Sequence, residues 1–206
     1  MRKLTVAAFV SVDGVMQAPG GSDEDREGGF SLGGWVGPHA DAAFGEVMTE
    51  TFSDPYDLLL GRRTYDIFAG YWPRFEGRDA LADAFGDANK YVATRNPDFE
   101  AGWRNSHVLK GDVVKAIRRV KAEPGRNLLT QGSADLIQTL LAADIVDQLV
   151  VMTFPILLGP GTRLFEGGAR PSGLKLYGST VTPAGVVVAR YRRDGAVPTF
   201  DIPDPA

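Results

Sequence analysis

The stretch "YDLLLGRRTYDIFAGYW", Tyr56 to Trp72, decides the fold and poses the functional question at the same time. An apolar run interrupted by one aspartate ends at Gly61, and "RRTYDIFAGYW" then reads as a helix. A buried strand, a glycine and a helix in direct succession make up the repeating joint of an α/β sheet. The start of a helix already carries about half a positive charge from aligned peptide dipoles and unpaired N–H groups. Arg62 and Arg63 place two guanidinium groups at that same end. A bound anion resolves the conflict, and phosphate fits both the arginine fork and the N–H groups. Thr64 adds a hydroxyl. The alternative is that both arginines point into water at little cost.

The same layout recurs in "LLTQGSADLIQTLL", where a buried strand runs through Gln131 to Gly132 and a helix opens with Ser133, Ala134, Asp135 and Leu136. Serine is a good N-cap on its own account, so one such joint says little. Two after parallel strands suit two phosphate groups of one dinucleotide. A third strand, "KYVATRNP", ends in Thr94 and Arg95, and an arginine at that edge suits an extra ribose phosphate. It is otherwise a solvated loop charge.

Strands are further expected at Leu4 to Val12, His107 to Gly111 and Val146 to Gly159, the last bent at Pro155. A closing hairpin over "LKLYGSTVTPAGVVVARYRR" turns near Pro183 to Gly185. Helices are expected in "ADAAFGEVMTETF", "RDALADAFGDA" and "DVVKAIRRVKAEPG", where Asp112 is a natural cap and Pro124 and Gly125 a stop. The alternation predicts one α/β domain over residues 1–193, with a mostly parallel sheet, antiparallel C-terminal edge strands and helices on both faces. The proline-rich residues 194–206 read as an irregular tail.

Bulk composition narrows the function. With 206 residues, 44% apolar, 23% charged and net charge −4, the chain is an ordinary globular one without the basic excess of a nucleic-acid surface. There is no cysteine, which excludes disulfides and thiolate chemistry and suits a reducing compartment. No apolar run approaches the roughly 20 residues that span a bilayer. A cytoplasmic protein is expected. His39 and His107 stand far apart without ligand-spaced partners, so no metal site is expected. Asp23, Asp25, Glu27 and Gly28 open like a calcium loop, but the closing position falls on Gly34, and the run reads instead as a solvated, mobile loop.

Five segments, "FVSVDGVM", "LLLGRRTYDIF", "KYVATRNP", "LLTQGSADLIQTLL" and "FPILLGPGTRLF", together resemble the dihydrofolate-reductase-like family, in particular the branch similar to the reductase domain of the riboflavin-biosynthesis deaminase-reductase. The resemblance covers residues 1–193. It implies a three-layer α/β fold with NADPH across the carboxyl edge of the sheet. Gly61, Arg62, Arg63 and Thr64 would hold cofactor phosphates, and Thr94 and Arg95 would flank the adenosine. Gln131, Gly132, Ser133, Ala134, Asp135 and Leu136 would cradle the pyrophosphate, and Ala8, Val12, Asp13 and Gly14 would lie by the nicotinamide. Folate reductases carry an acidic residue on the first helix; Asp41 is the nearest candidate here, or else a helix cap. Trp35, Phe44 and Phe154 are candidates to wall a small aromatic substrate. Asp41, Asp13 or water would supply the proton, and Val15 to Gly34 is a candidate lid.

The expectation is therefore an NADPH-dependent reductase of a small heteroaromatic or carbonyl substrate, forming a homodimer by resemblance. Two alternatives stand beside it: a nucleotide-binding module without turnover, and a riboflavin-pathway reductase using Arg163 and Lys175 for a further phosphate.

Overall fold

The computed structural model describes residues 1–202. Eight strands form one sheet: β1 (Leu4–Ser11), β2 (Tyr56–Gly61), β3 (Lys90–Ala93), β4 (Ser106–Leu109), β5 (Asn127–Thr130), β6 (Gln148–Phe154), β7 (Leu174–Val181) and β8 (Val187–Arg193). Five α-helices accompany them, besides three single turns of 3-10 helix: α1 (Ala42–Thr51), α2 (Arg62–Tyr71), α3 (Ala80–Asp87), α4 (Val113–Ala122) and α5 (Ala134–Ala142). The spatial order is β4-β3-β2-β5-β1-β6-β8-β7. The first six strands are parallel, and β8 and β7 close the sheet antiparallel. This is the expected architecture. From Asp194 to Ile202 the tail has no regular structure; residues 203–206 lie outside the described part.

Alternation along the strands divides the core into two layers. Leu58 and Leu60 of β2 face one layer with Phe44, Tyr65 and Phe85 from α1, α2 and α3. Leu59 faces the other with Ile117, Val120, Ile137 and Leu140 from α4 and α5. Every residue of β2 is buried, which explains its apolar run, and its one charged residue, Asp57, is paired with Arg2. The expected long strand from Val146 to Gly159 is shorter than its sequence suggested. Pro155 lacks an N–H, and the strand stops at Phe154 rather than bulging.

The amino ends of the strands are pinned by charge. Arg2 Nη2 meets Asp57 Oδ2 at 2.5 Å, with both side chains only 3% exposed. Asp57 Oδ1 also accepts from the N–H and side-chain amide of Asn89, at 3.0 and 3.1 Å. Lys90, at 0% exposure, donates from Nζ to the carbonyls of Phe85, Gly86 and Ala88, closing the C-terminal end of α3. Its ammonium lies 4.2 Å from the Trp103 ring centre, and burial draws its pKa down to about 8.

Candidate functional site

The carboxyl ends of β3, β2, β5 and β1 are consecutive neighbours in the sheet. They therefore carry Thr94–Arg95, Gly61–Thr64, Gln131–Leu136 and Val12–Gly14 along one edge, in that order. Three inter-strand gaps make this edge roughly 14 Å long. The two helical joints touch. A Cβ added to Gly61 would lie 1.9 Å from Ser133 Oγ, and one added to Gly132 would lie 2.8 Å from Thr64 Oγ1. Glycine is required at Gly61 by this approach, since its φ of −69° is open to any residue.

Capping separates the five helices into two groups. Asp41, Asp79 and Asp112 cap α1, α3 and α4, each accepting from first-turn N–H groups. Gly61 and Ser133, which open α2 and α5, make no side-chain cap bond. The two helices that start side by side at the sheet edge are thus the two whose first-turn N–H groups lack a side-chain acceptor. The donor set fits an anionic group: adjacent N–H clusters, two guanidinium groups and the Thr64 hydroxyl.

Arg62 and Arg63 are nonetheless not uncompensated, and here the structure corrects the sequence reading. Arg62 Nη1 meets Asp66 Oδ2 at 2.5 Å one helical turn later. Arg63 forms an ion pair with Glu27 and lies 3.6 Å from Asp25 Oδ2. The hydrogen bond from Arg63 holds the Glu27 carboxyl below the usual carboxylate range, and the same bond raises Arg63. Among the described residues, exposed Arg95 makes no ion pair.

The acidic run is also not a free loop. Gln17 is buried; its Nε2 donates to the Glu27 carbonyl at 3.0 Å, and its Oε1 accepts from the Thr162 N–H at 3.1 Å. Phe30 is buried as well. The spacing of Arg62 and Asp66 was visible in the sequence as an i,i+4 pair. Nothing local in the sequence signalled that Glu27 meets Arg63 or that Gln17 meets Thr162, pairs far apart along the chain.

The remaining candidates divide. Val12 is exposed at the end of β1, and Gly14 takes φ +83° with open space around its Cα. Ala8 lies inside β1, buried toward the α4–α5 layer, and the Leu136 side chain belongs to the same core. Asp13 accepts from Ser11 Oγ at 2.6 Å, the Leu158 N–H at 3.1 Å and the Gly159 N–H at 2.8 Å. Those bonds, the Ser11 one first, lower its pKa to about 2, which removes it as a proton donor near neutrality. Asp41 is the cap of α1: Oδ1 accepts from the Phe44 N–H at 2.7 Å, and Oδ2 from the Ala184 N–H at 3.1 Å. Both of its oxygens are engaged in structure.

Trp35, Phe44 and Phe154 do come together, with ring centres 5.2 and 5.6 Å apart around Phe154. All three are buried, Phe154 completely, so they form core packing rather than an open wall. Arg163 donates to the carbonyls of Asp13 and Gly159 at 3.1 and 2.7 Å, while Lys175 lies on the edge strand β7. The structure does not bring those two together. Among the described residues no cluster of potential metal ligands is present and no helix is long and apolar enough to cross a membrane.

A parallel sheet whose carboxyl edge presents two touching, uncapped helix starts defines an α/β protein of the dihydrofolate-reductase-like fold. The chain belongs to the RibD C-terminal domain family, whose model matches residues 2–188. It is 24% identical over 200 residues to the uncharacterized protein YyaP of Bacillus subtilis, covering 94% of this chain and 96% of that one. The uncharacterized protein YwjB of the same organism is 28% identical over 134 residues, 62% of this chain and 71% of that one. A candidate riboflavin biosynthesis protein from Shewanella sp. PV-4 superposes with TM-score 0.63 at 22% identity, over 94% of this chain and 99% of that one. Dihydrofolate reductase from Enterococcus faecalis, solved with NADP(H), superposes with TM-score 0.58 at 15% identity, over 93% and 96% of the two chains. These structural likenesses are likenesses of fold.

Proposed function

We propose that this protein is an NADPH-dependent reductase of a small heteroaromatic or carbonyl substrate, acting in the cytoplasm. The observation that carries the reading is the absence of side-chain caps on α2 and α5 alone among the five α-helices of the described residues, at the point where they touch. Their N–H groups, with Thr64, would bind the pyrophosphate. Arg95, one strand further along the edge, would take the ribose phosphate that distinguishes NADPH from NADH. When bound, NADPH supplies a hydride. The exposed Val12–Gly14 turn at the end of β1 would position the reacting ring, and Asp13, held ionised, would fix that turn to Leu158 and Gly159. The proton that completes the reduction would come from water, since Asp13 and Asp41 are both committed. The test is loss of reduced-nicotinamide absorbance with a panel of pterin, flavin and pyrimidine acceptors.

Burial of Trp35, Phe44 and Phe154 favours a second reading, a nucleotide-binding protein without turnover. Tight NADPH binding with no oxidation across the whole panel would select it. A homodimer is part of the proposal: the edge strand β7 and its partner β8 expose Leu174, Leu176, Tyr177, Val181 and Val187, an apolar edge that a second copy would cover. Light scattering reads the mass, and Leu176→Lys should lower it to that of one chain.

A further inference from the structure

The acidic loop ends where the sequence called for a bound anion. Glu27 and Asp25 both reach Arg63, in the first turn of α2, and the carboxylate of Asp135 at the start of α5 adds to the field on the same guanidinium. The turn that delivers them is built, not incidental. The Glu27 N–H donates to Asp25 Oδ1 at 3.0 Å, and Gln17 holds the Glu27 carbonyl from below. Val15 and Phe30, at the two ends of the loop, both pack against Gly161, whose added Cβ would lie 2.8 and 3.0 Å from them. A cavity of about 300 Å³ opens between this loop and Pro160–Thr162, with Glu27 on its wall. The Arg63 pair is half exposed on both sides, at 49% and 66%. It is therefore a weak and replaceable contact.

We propose that Glu27, assisted by Asp25, is an internal substitute for a phosphate group: a carboxylate latch that holds the exposed turn of residues 20–29 against the start of α2 and is exchanged for cofactor phosphate on binding. The inference rests on the cofactor reading of this edge. The cofactor's pyrophosphate carries two negative charges against one on the Glu27 carboxylate and has more acceptor oxygens, so it wins the competition for Arg63 and the neighbouring N–H groups. Cofactor binding and loop release then form one linked equilibrium. Weakening the latch must strengthen cofactor binding by the same factor.

Three proteins test this: wild type, Glu27→Gln, and Asp23→Asn. Asp23 carries the same charge in the same loop but pairs with Arg26 instead of Arg63. Amide hydrogen exchange over residues 20–30 is measured without cofactor, and NADPH affinity is measured by fluorescence titration. Glu27→Gln should exchange faster across the loop and bind NADPH about two- to fivefold more tightly, the range set by an exposed pair. Asp23→Asn should do neither. Equal tightening by both variants would reveal a general charge effect and overturn the latch. Unchanged loop exchange in Glu27→Gln would overturn it whatever the affinities. Faster exchange without any NADPH binding by any of the three would overturn the cofactor reading, and with it the exchange of carboxylate for phosphate, while leaving the Glu27–Arg63 contact established.

Discussion

Gly61→Ala tests the joint on which the site depends. The new Cβ would sit 1.9 Å from Ser133 Oγ, 3.0 Å from Ser133 Cβ and 3.3 Å from Ser133 N. Rotation of the serine side chain removes the first clash. It leaves the second at 3.0 Å, tighter than an ordinary van der Waals contact, so Ser133 at the start of α5 must give way by a few tenths of an ångström. Overpacking of this kind costs about 1–3 kcal/mol. Ser133→Gly, introduced alone, loses no cap bond and costs about 0.5–1 kcal/mol in chain entropy. Combined with Gly61→Ala it removes both clashing atoms, so the double variant should be more stable than Gly61→Ala alone. A coupling of about 1–2 kcal/mol is expected, within the range for residues in contact. Urea denaturation of the four proteins gives the cycle directly, and NADPH titration shows whether the shift of α5 also spoils binding. Additive stabilities, or a Gly61→Ala protein as stable as wild type, would mean that the two helix starts do not touch as described.

Four further outcomes follow from particular contacts. Arg95→Ala should weaken NADPH by about 1–3 kcal/mol and leave NADH nearly unchanged, the loss of a charge-assisted bond; equal weakening in parallel titrations would move Arg95 away from the ribose phosphate. Asp57→Ala strands Arg2 in the core and should lower unfolding free energy by about 3–5 kcal/mol in urea. Lys90→Met leaves three buried carbonyls without their donor and should cost about 2–4 kcal/mol, read as a lowered midpoint in thermal or urea melts. The Asp13 carboxyl has its pKa lowered from 3.8 to about 2, so its contribution is complete above the unfolded value and is lost as pH falls through that interval. Asp13→Asn should therefore flatten the stability profile between those two values while leaving its slope elsewhere intact, as followed by circular dichroism through an acid titration.

The strands, the five helices and the two glycine joints were legible because each is written locally. An apolar run such as "YDLLLG" has no other home than a covered strand, and a glycine followed by a helix-forming segment marks its exit. The sequence placed both joints at one sheet edge, but the direct contact between Gly61 and Ser133 is a finding of the structure. What escaped was written at long range. Arg63 finds Glu27 across 36 positions, and no periodicity connects a loop carboxylate with a helix start that far away. Trp35, Phe44 and Phe154 failed as a substrate wall for a different reason: an aromatic side chain lining a pocket and one filling a core have the same signature in sequence. Asp41 illustrates a third kind of ambiguity, since a carboxylate at a helix start serves a cap and a catalytic group equally well until its partners are known.

The bracing under the sheet has a practical corollary. Arg2 is the second residue of the chain, yet it donates its N–H to Lys121, meets Asp57 and stacks beside Tyr91. Replacing Arg2 by alanine would undo a cross-brace joining β2, β3 and the end of α4.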